Sequence, residues 1–264
     1  MTRAAFVIAV VIGLSSPVFA ADRLTDRDVK TLITRIEQGR DKFDDELDGK
    51  LKDSVVRQAS GEVNVRDVLN DFQESIDRVE ERLKPEYAAS AEVGTLLRRG
   101  SGIEAFFRQQ PAGTKGESEW NRLASDLKML AAAYGADFPL SANATVRRIG
   151  DGELVSAVSQ VAASSDQLKK SLDNDLKKDA TISKEARQAA VAEADQLTKD
   201  AKALRDRVKD TKPSSAEASK LLAQATKVQG FVDNHQVPAS AAAWKGAAGY
   251  VQVVAHAYGT RWPR

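Results

Sequence analysis

The hydrophobic pattern of this chain occurs twice, with the second occurrence 125 residues after the first over most of its length. The matched apolar positions are Phe43, Leu47, Leu51, Phe72, Leu83, Leu96, Leu97 and Phe106 in the first half and Leu168, Leu172, Leu176, Leu197, Val208, Leu221, Leu222 and Phe231 in the second. Self-similarity at one period indicates a repeated structural unit. Because this period is far above the roughly 20 to 50 residues of a solenoid repeat, we expect each copy to be a domain.

Both halves end with the same sequence pattern, which we call the signature: Trp, thirteen residues, Tyr-Gly, two residues, then an aromatic residue followed by Pro. The signature residues are Trp120, Tyr134, Gly135, Phe138 and Pro139 in the first half and Trp244, Tyr258, Gly259, Trp262 and Pro263 in the second, at an offset of 124. Chance does not readily produce this signature twice in a chain with 3 Trp. We therefore infer an internal duplication.

Within each copy the apolar residues are spaced three or four apart, which predicts amphipathic α-helices rather than the strict alternation of strands. The first stripe, over residues 29–51, predicts one long helix, and the next helix begins after a break at Ser60 and Gly61. Four helices per copy with short connections predict an all-α fold of two tandem antiparallel four-helix-bundle units, residues 22–140 and 145–264. Fusion of the long first helices into one elongated bundle is the open alternative.

Residues 1–20 have the pattern of a secretory signal peptide. Arg3 supplies a positive start, an apolar run follows from Ala4 to Leu14, and small residues stand at the cleavage positions Val18 and Ala20. An apolar run of about 11 residues is too short to span a bilayer core of ~30 Å. We therefore expect cleavage, a mature chain with no integral membrane segment, and a periplasmic or secreted location.

The mature chain is predicted to be formally neutral. Removing residues 1–20 takes the 39 Lys and Arg to 38, equal to the 38 Asp and Glu. Nucleic acid binding depends on neutralising phosphates, so an even balance without a basic block argues against a nucleic acid partner. The sequence has no cysteine, so stability must come from apolar cores rather than disulfides.

The signature aromatics can be explained by architecture or by binding. Trp120 and Tyr134 are fourteen residues apart, which returns to nearly the same helix face, and Trp244 and Tyr258 repeat the spacing. Aromatic residues at this spacing usually belong to the core. The following Gly allows the helix to end with positive φ, and the Pro prevents it from resuming. We interpret these four residues as core, and keep them as binding candidates.

The two histidines provide little support for a metal or haem site. His256 matches Ala132 and His235 matches Gln110, so neither histidine belongs to the repeated plan. No partner ligands stand at helical spacing from His256. We therefore predict no metal site and no cofactor, and retain His256 as a binding candidate.

Two further motifs are better explained as solvated helix faces. Residues 44–49 resemble the start of a calcium loop, but Val55 occupies the position of its bidentate Glu. Ser125 and Lys128 fit an S-x-x-K pattern, but the companion motifs of that enzyme class are missing. With no other catalytic set visible, we predict no catalytic residues and a protein that is not an enzyme.

The sequence thus predicts an exported, non-catalytic helical interaction or scaffold protein, for which a protein partner is expected. The alternative is a periplasmic binder of a small ligand, an apolar molecule or a haem-type group, in a bundle core near Trp120 or Trp244. Such pockets are mostly apolar and leave little trace in a sequence. An enzyme is the third hypothesis, and His256 with Tyr258 is its only residue-level support.

Overall fold

The computed structural model describes residues 23–58, 61–178, 182–235 and 237–263, so the predicted signal peptide lies outside the described residues. Within those ranges nine helices and one two-stranded antiparallel hairpin follow in the order α1 (Asp26–Glu46), α2 (Gly49–Lys52), β1 (Val55–Gln58), β2 (Gly61–Asn64), α3 (Val65–Arg82), α4 (Ser90–Phe107), α5 (Glu117–Ala133), α6 (Asp151–Lys178), α7 (Lys184–Lys209), α8 (Ser215–Asn234) and α9 (Pro238–Ala257). The protein is mostly helical, and the predicted all-α class is confirmed.

Two separate hydrophobic cores lie in the described chain. The first is enclosed by α1, α3, α4 and α5, where α1 contacts α3 and α5, and α4 contacts the same two helices. The second is enclosed by α6 to α9, where α6 contacts α7 and α9, and α8 contacts the same two helices. Below, residues 23–140 are called the N-terminal half and residues 148–263 the C-terminal half.

The predicted continuous helix over residues 29–51 is wrong in its last part. The helix α1 ends at Glu46, Leu47 is extended with ψ 134°, and the Asp48 side chain accepts a hydrogen bond from Lys50 N–H to begin α2. A short polar side chain that bonds its own backbone competes with helix continuation. In the C-terminal half the matching stretch stays helical, because α6 runs without a break to Lys178.

A hairpin stands where the sequence indicated only a break. The strands β1 and β2 pair Val55 with Asn64 and Gln58 with Gly61. Each strand has four residues, too few for a period of two to be recognised against the helical stripes. The strands were therefore missed, although the predicted break includes Gly61, where β2 begins.

The two signature glycines end their helices in the same way. Gly135 and Gly259 have φ of 67° and 63°. The next residue in each case donates its N–H back to the helix, Ala136 to Ala131 O and Thr260 to Ala255 O, both at 2.9 Å. This is the Schellman arrangement that positive-φ glycine permits. The helix end predicted at Gly135 is confirmed.

Candidate functional site between the two halves

The two signature tryptophans lie in the cores. Trp120 and Trp244 are each 2% exposed. The indole Nε1 of Trp120 donates to Glu104 Oε2 at 2.5 Å, and that of Trp244 donates to Gln229 Oε1 at 2.6 Å. The Phe43 ring lies 5.3 Å from the Trp120 ring, centroid to centroid. Both indoles are therefore packed and hydrogen-bonded within the protein.

The two signature tyrosines are also buried and partnered. The Tyr134 hydroxyl donates to Ala88 O at 2.6 Å, and the Tyr258 hydroxyl shares a 2.7 Å hydrogen bond with Ser214 Oγ. Burial raises the pKa of Tyr134 to about 12, and burial also raises the pKa of Tyr258. Both phenols therefore remain neutral at physiological pH.

A reciprocal exchange of ion pairs joins the two halves. Arg23 donates to Asp151 Oδ1 at 2.5 Å and to Ile149 O at 2.6 Å. Arg148 donates to Asp26 Oδ1 and, at 2.8 Å, to Leu24 O. Each of these residues is matched by one in the same role 125 positions away: Arg23 by Arg148, Asp26 by Asp151 and Leu24 by Ile149. We call the contact of Arg23, Asp26, Arg148 and Asp151 the seam.

The backbone takes part in the same exchange. Asp26 begins α1 and Asp151 begins α6, where helix N–H groups have no partner inside the helix. Asp26 N–H donates to Asp151 Oδ2 at 2.8 Å, and Asp151 N–H donates to Asp26 Oδ2 at 2.9 Å. Each carboxylate therefore accepts from the other helix's first N–H and from an arginine, which compensates for its burial.

Two further hydrogen bonds join the start of α6 to the N-terminal half. Gly152 N–H donates to Pro85 O at 3.2 Å, and Arg148 N–H donates to Ser90 Oγ at 3.1 Å. A Cβ atom built on Gly152 would lie 2.2 Å from Pro85 O. Only glycine therefore fits this approach of α6 to the turn between α3 and α4.

A cleft of about 300 Å³ opens at this junction. Its lining comes from both halves: Arg23, Ala132, Ala133, Gly135, Arg147, Arg148, Ile149, His256, Ala257, Gly259, Thr260 and Arg261. Of the five candidates from sequence, only His256 lines it, on an exposed position of α9. The two Trp and two Tyr stay inside the cores, and the structure does not bring His256 and Tyr258 together in this cleft.

Sequence reasoning missed the seam arginines and aspartates. Arg23 and Asp26 are identical to Arg148 and Asp151 at the same offset of 125 that relates the apolar residues. A comparison restricted to hydrophobic stripes did not reach these residues, because they precede the first apolar position of each helix. Repeated charged residues at helix starts were the available signal.

The remaining motifs have ordinary surroundings. Asp44 pairs with Lys52 at 3.0 Å, and in the described ranges no three or more His, Cys, Asp or Glu residues are grouped so that they could hold a metal ion. Ser125 and Lys128 are exposed on α5. The ring of His235 stacks on Phe231 with centroids 4.1 Å apart. None of these residues lines the cleft at the seam.

Among the described residues, no helix is both long and apolar enough to cross a membrane. Comparisons with protein-family models, with curated proteins and with solved structures found no match.

Proposed function

We propose that this chain is an exported, non-catalytic helical protein, made of two copies of one four-helix-bundle unit, and that it works as an interaction scaffold for a protein partner. The observation that carries the proposal is the reciprocal exchange at the seam. Arg23 pairs with Asp151 and Arg148 pairs with Asp26, so equivalent residues of the two halves make equivalent contacts.

Reciprocal contacts of this kind are the mark of a twofold relationship. In an isologous interface, a contact from residue i to residue j is matched by one from j to i. An approximate twofold axis through the seam would make the two halves present related surfaces in fixed orientation. Such a molecule suits a partner with two related binding sites, which gains avidity from simultaneous engagement.

Equivalent contacts inside the halves support the duplication. The signature indole donates to position 104 in one half and to position 229 in the other, again 125 apart. An ion pair also recurs at this offset, between Arg82 and Glu92 at 3.5 Å and between Arg207 and Glu217 at 3.1 Å. A common ancestral unit accounts for all of these matches with one event.

Export to the periplasm or the cell exterior is part of the proposal, and rests on the tripartite pattern of residues 1–20. The absence of cysteine from the sequence is compatible with that location, because two apolar cores provide the stability that disulfides would otherwise supply.

A second candidate function is the binding of a small ligand. The cleft between the two halves is a better candidate site for such a ligand than the bundle cores. In the first core, the cavity beside Phe106 and Phe107 measures about 10 Å³. That is no more than the space of one water molecule. The cleft at the seam is about 300 Å³, at the lower end of the range of small-ligand pockets.

Site-specific photocrosslinking in intact cells tests the scaffold proposal. Lys128 on α5 and Gln252 on α9 are exposed and occupy matched positions, 124 apart. With a photoreactive residue at either position, we expect the same partner protein to be captured from both. The seam variant Asp26→Ala is the control, and should reduce capture by loosening the two halves. Capture of unrelated proteins from the two positions, or turnover that depends on His256, would contradict the proposal.

A further inference from the structure

We propose that the cleft between the two halves binds a small, multiply charged oxyanion, a phosphate or carboxylate compound. This inference rests on the second candidate function, small-ligand binding at the cleft, and does not depend on the scaffold proposal. Four arginines line the cleft, Arg23, Arg147, Arg148 and Arg261, and none of the lining residues is acidic.

The charges of the cleft do not cancel. Arg23 and Arg148 are paired with Asp151 and Asp26, which do not line the cleft. Arg147 and Arg261 are exposed, and neither has a carboxylate within ion-pair distance in the part of the chain that the structure describes. Two guanidinium charges are therefore left without an opposing side chain at one small opening. Charges of one sign in a cleft concentrate the field there and attract ions of opposite sign.

Helix ends do not supply the missing negative charge. The C-terminal ends of α5 and α9 border the cleft, and each carries about half a negative charge. The N-terminal ends of α1 and α6 meet at the seam, and each carries about half a positive charge. These partial charges offset one another, so the excess of about two positive charges remains to be neutralised by a ligand.

The side chains of the site match oxyanion chemistry. A guanidinium group presents paired N–H donors in the geometry of carboxylate and phosphate oxygens. The side chains of Arg23 and Arg148 are 8% and 3% exposed and already donate within the seam, so they do not supply the paired donors for a ligand. Arg147, Arg261 and the His256 imidazole supply donors from the rim.

The size and walls of the cleft favour a small ligand. A volume of about 300 Å³ is near the minimum for a ligand pocket and suits a compact anion. Much of the remaining wall is small residues, among them Ala132, Ala133 and Gly259, so a ligand can approach the backbone closely. His256 lines the cleft at the position that corresponds to Ala132 in the other half, so the two sides of the cleft differ.

Isothermal titration calorimetry on the mature chain tests the inference, with pyrophosphate and citrate as probes. We expect saturable 1:1 binding of at least one probe, weakened by added NaCl because the contacts are ionic. The double variant Arg147→Ala/Arg261→Ala should weaken binding about tenfold or more, because it removes two charged donors. These residues take no side-chain part in the seam pairs, so the variant should keep its helical circular dichroism.

The matched control is Lys128→Ala/Lys245→Ala, which removes the same charge from exposed positions of α5 and α9. Affinity should change less than about twofold in the control. Pyrophosphate binding without citrate binding would identify a phosphate site, and the reverse result a carboxylate site. The inference is overturned if neither probe binds saturably, or if the two double variants weaken binding equally. Neither result affects the scaffold proposal, which crosslinking tests separately.

Discussion

Asp26 and Asp151 cap each other's helices: the carboxylate of each accepts the first backbone N–H of the helix that the other begins, at 2.8 and 2.9 Å. The two residues are 125 positions apart, and an arginine three positions before each of them pairs with the other aspartate. This cluster thus provides a hydrogen-bond partner for the first N–H of each helix and pairs four charged side chains. Removing any member leaves buried polar groups unpartnered.

Replacing Asp26 with Ala should therefore lower the free energy of unfolding by about 3 kcal/mol, because it leaves Arg148 buried without its carboxylate. Urea unfolding followed by circular dichroism measures the change. A double-mutant cycle with Arg148→Ala should show strong coupling. The exposed pair of Arg78 and Glu74, with side chains 60% and 59% exposed, is the control, and its loss should cost less than about 0.5 kcal/mol. Additive effects of Asp26→Ala and Arg148→Ala would contradict the cooperative seam.

Gly152→Ala should also weaken the seam, through sterics rather than charge. The added Cβ would lie 2.2 Å from Pro85 O, a backbone atom that cannot rotate away. We expect a loss of about 2 kcal/mol in urea unfolding. Gly102→Ala is the matched control, because a Cβ added to that helical glycine would have no heavy atom within 4 Å; there alanine should stabilise by about 0.5 to 1 kcal/mol. Equal effects at the two glycines would show that α6 does not approach the turn this closely.

The cores were predictable from sequence, because burial on one helix face leaves a periodic trace. Residues such as Val29, Phe72 and Leu127 are fully buried where the stripes placed them. The end of α1 was not predictable by the same means, since Leu47 remains apolar and buried although the helix stops before it. The local hydrogen bond from Lys50 N–H to Asp48 decides that end, and periodicity does not register it.

The seam could not be predicted from the hydrophobic pattern, for a different reason. Its contacts join residues more than 120 positions apart, and hydrophobic patterning carries no information about such polar pairing. Identity of charged residues at the offset of 125 would have pointed to Arg148 and Asp151. That identity would not have shown that Arg148 and Asp151 form their ion pairs with residues of the N-terminal half. The cleft could not be predicted either, because its wall is assembled from chain segments in both halves.

Stability should fall at alkaline pH through Tyr134. Burial raises its pKa from 10.0 to about 12, so the folded state keeps a proton that the unfolded state has lost. The stabilisation is fully present below pH ~10 and is lost as pH rises to ~12, by about 2 to 3 kcal/mol. Comparing unfolding of the normal chain and Tyr134→Phe across this window isolates the effect. The decrease in the free energy of unfolding across this pH window should be smaller in Tyr134→Phe. It should be unchanged in the control variant Tyr250→Phe, which replaces an exposed tyrosine.

The proposed export predicts a processed N-terminus. If signal peptidase cleaves after Ala20, the mature chain begins at Ala21 and has a formal net charge of zero. Intact-mass measurement of protein purified from its own host should give the mass of residues 21–264. Ala20→Leu, which puts a bulky residue at the cleavage position, should slow processing and leave a heavier precursor. A full-length mass in the normal chain would contradict the signal-peptide prediction.

Separate expression of the two halves tests whether they are self-sufficient units. Cutting between Ala144 and Thr145 leaves each core with all four of its enclosing helices. We therefore expect both fragments to be helical and to unfold cooperatively, because each buries its own apolar face. Mixing them should give a 1:1 complex in analytical ultracentrifugation, since the seam pairs form between fragments. Asp26→Ala in the first fragment should abolish that complex without unfolding either fragment. Fragments that fold only when mixed would instead indicate one elongated bundle.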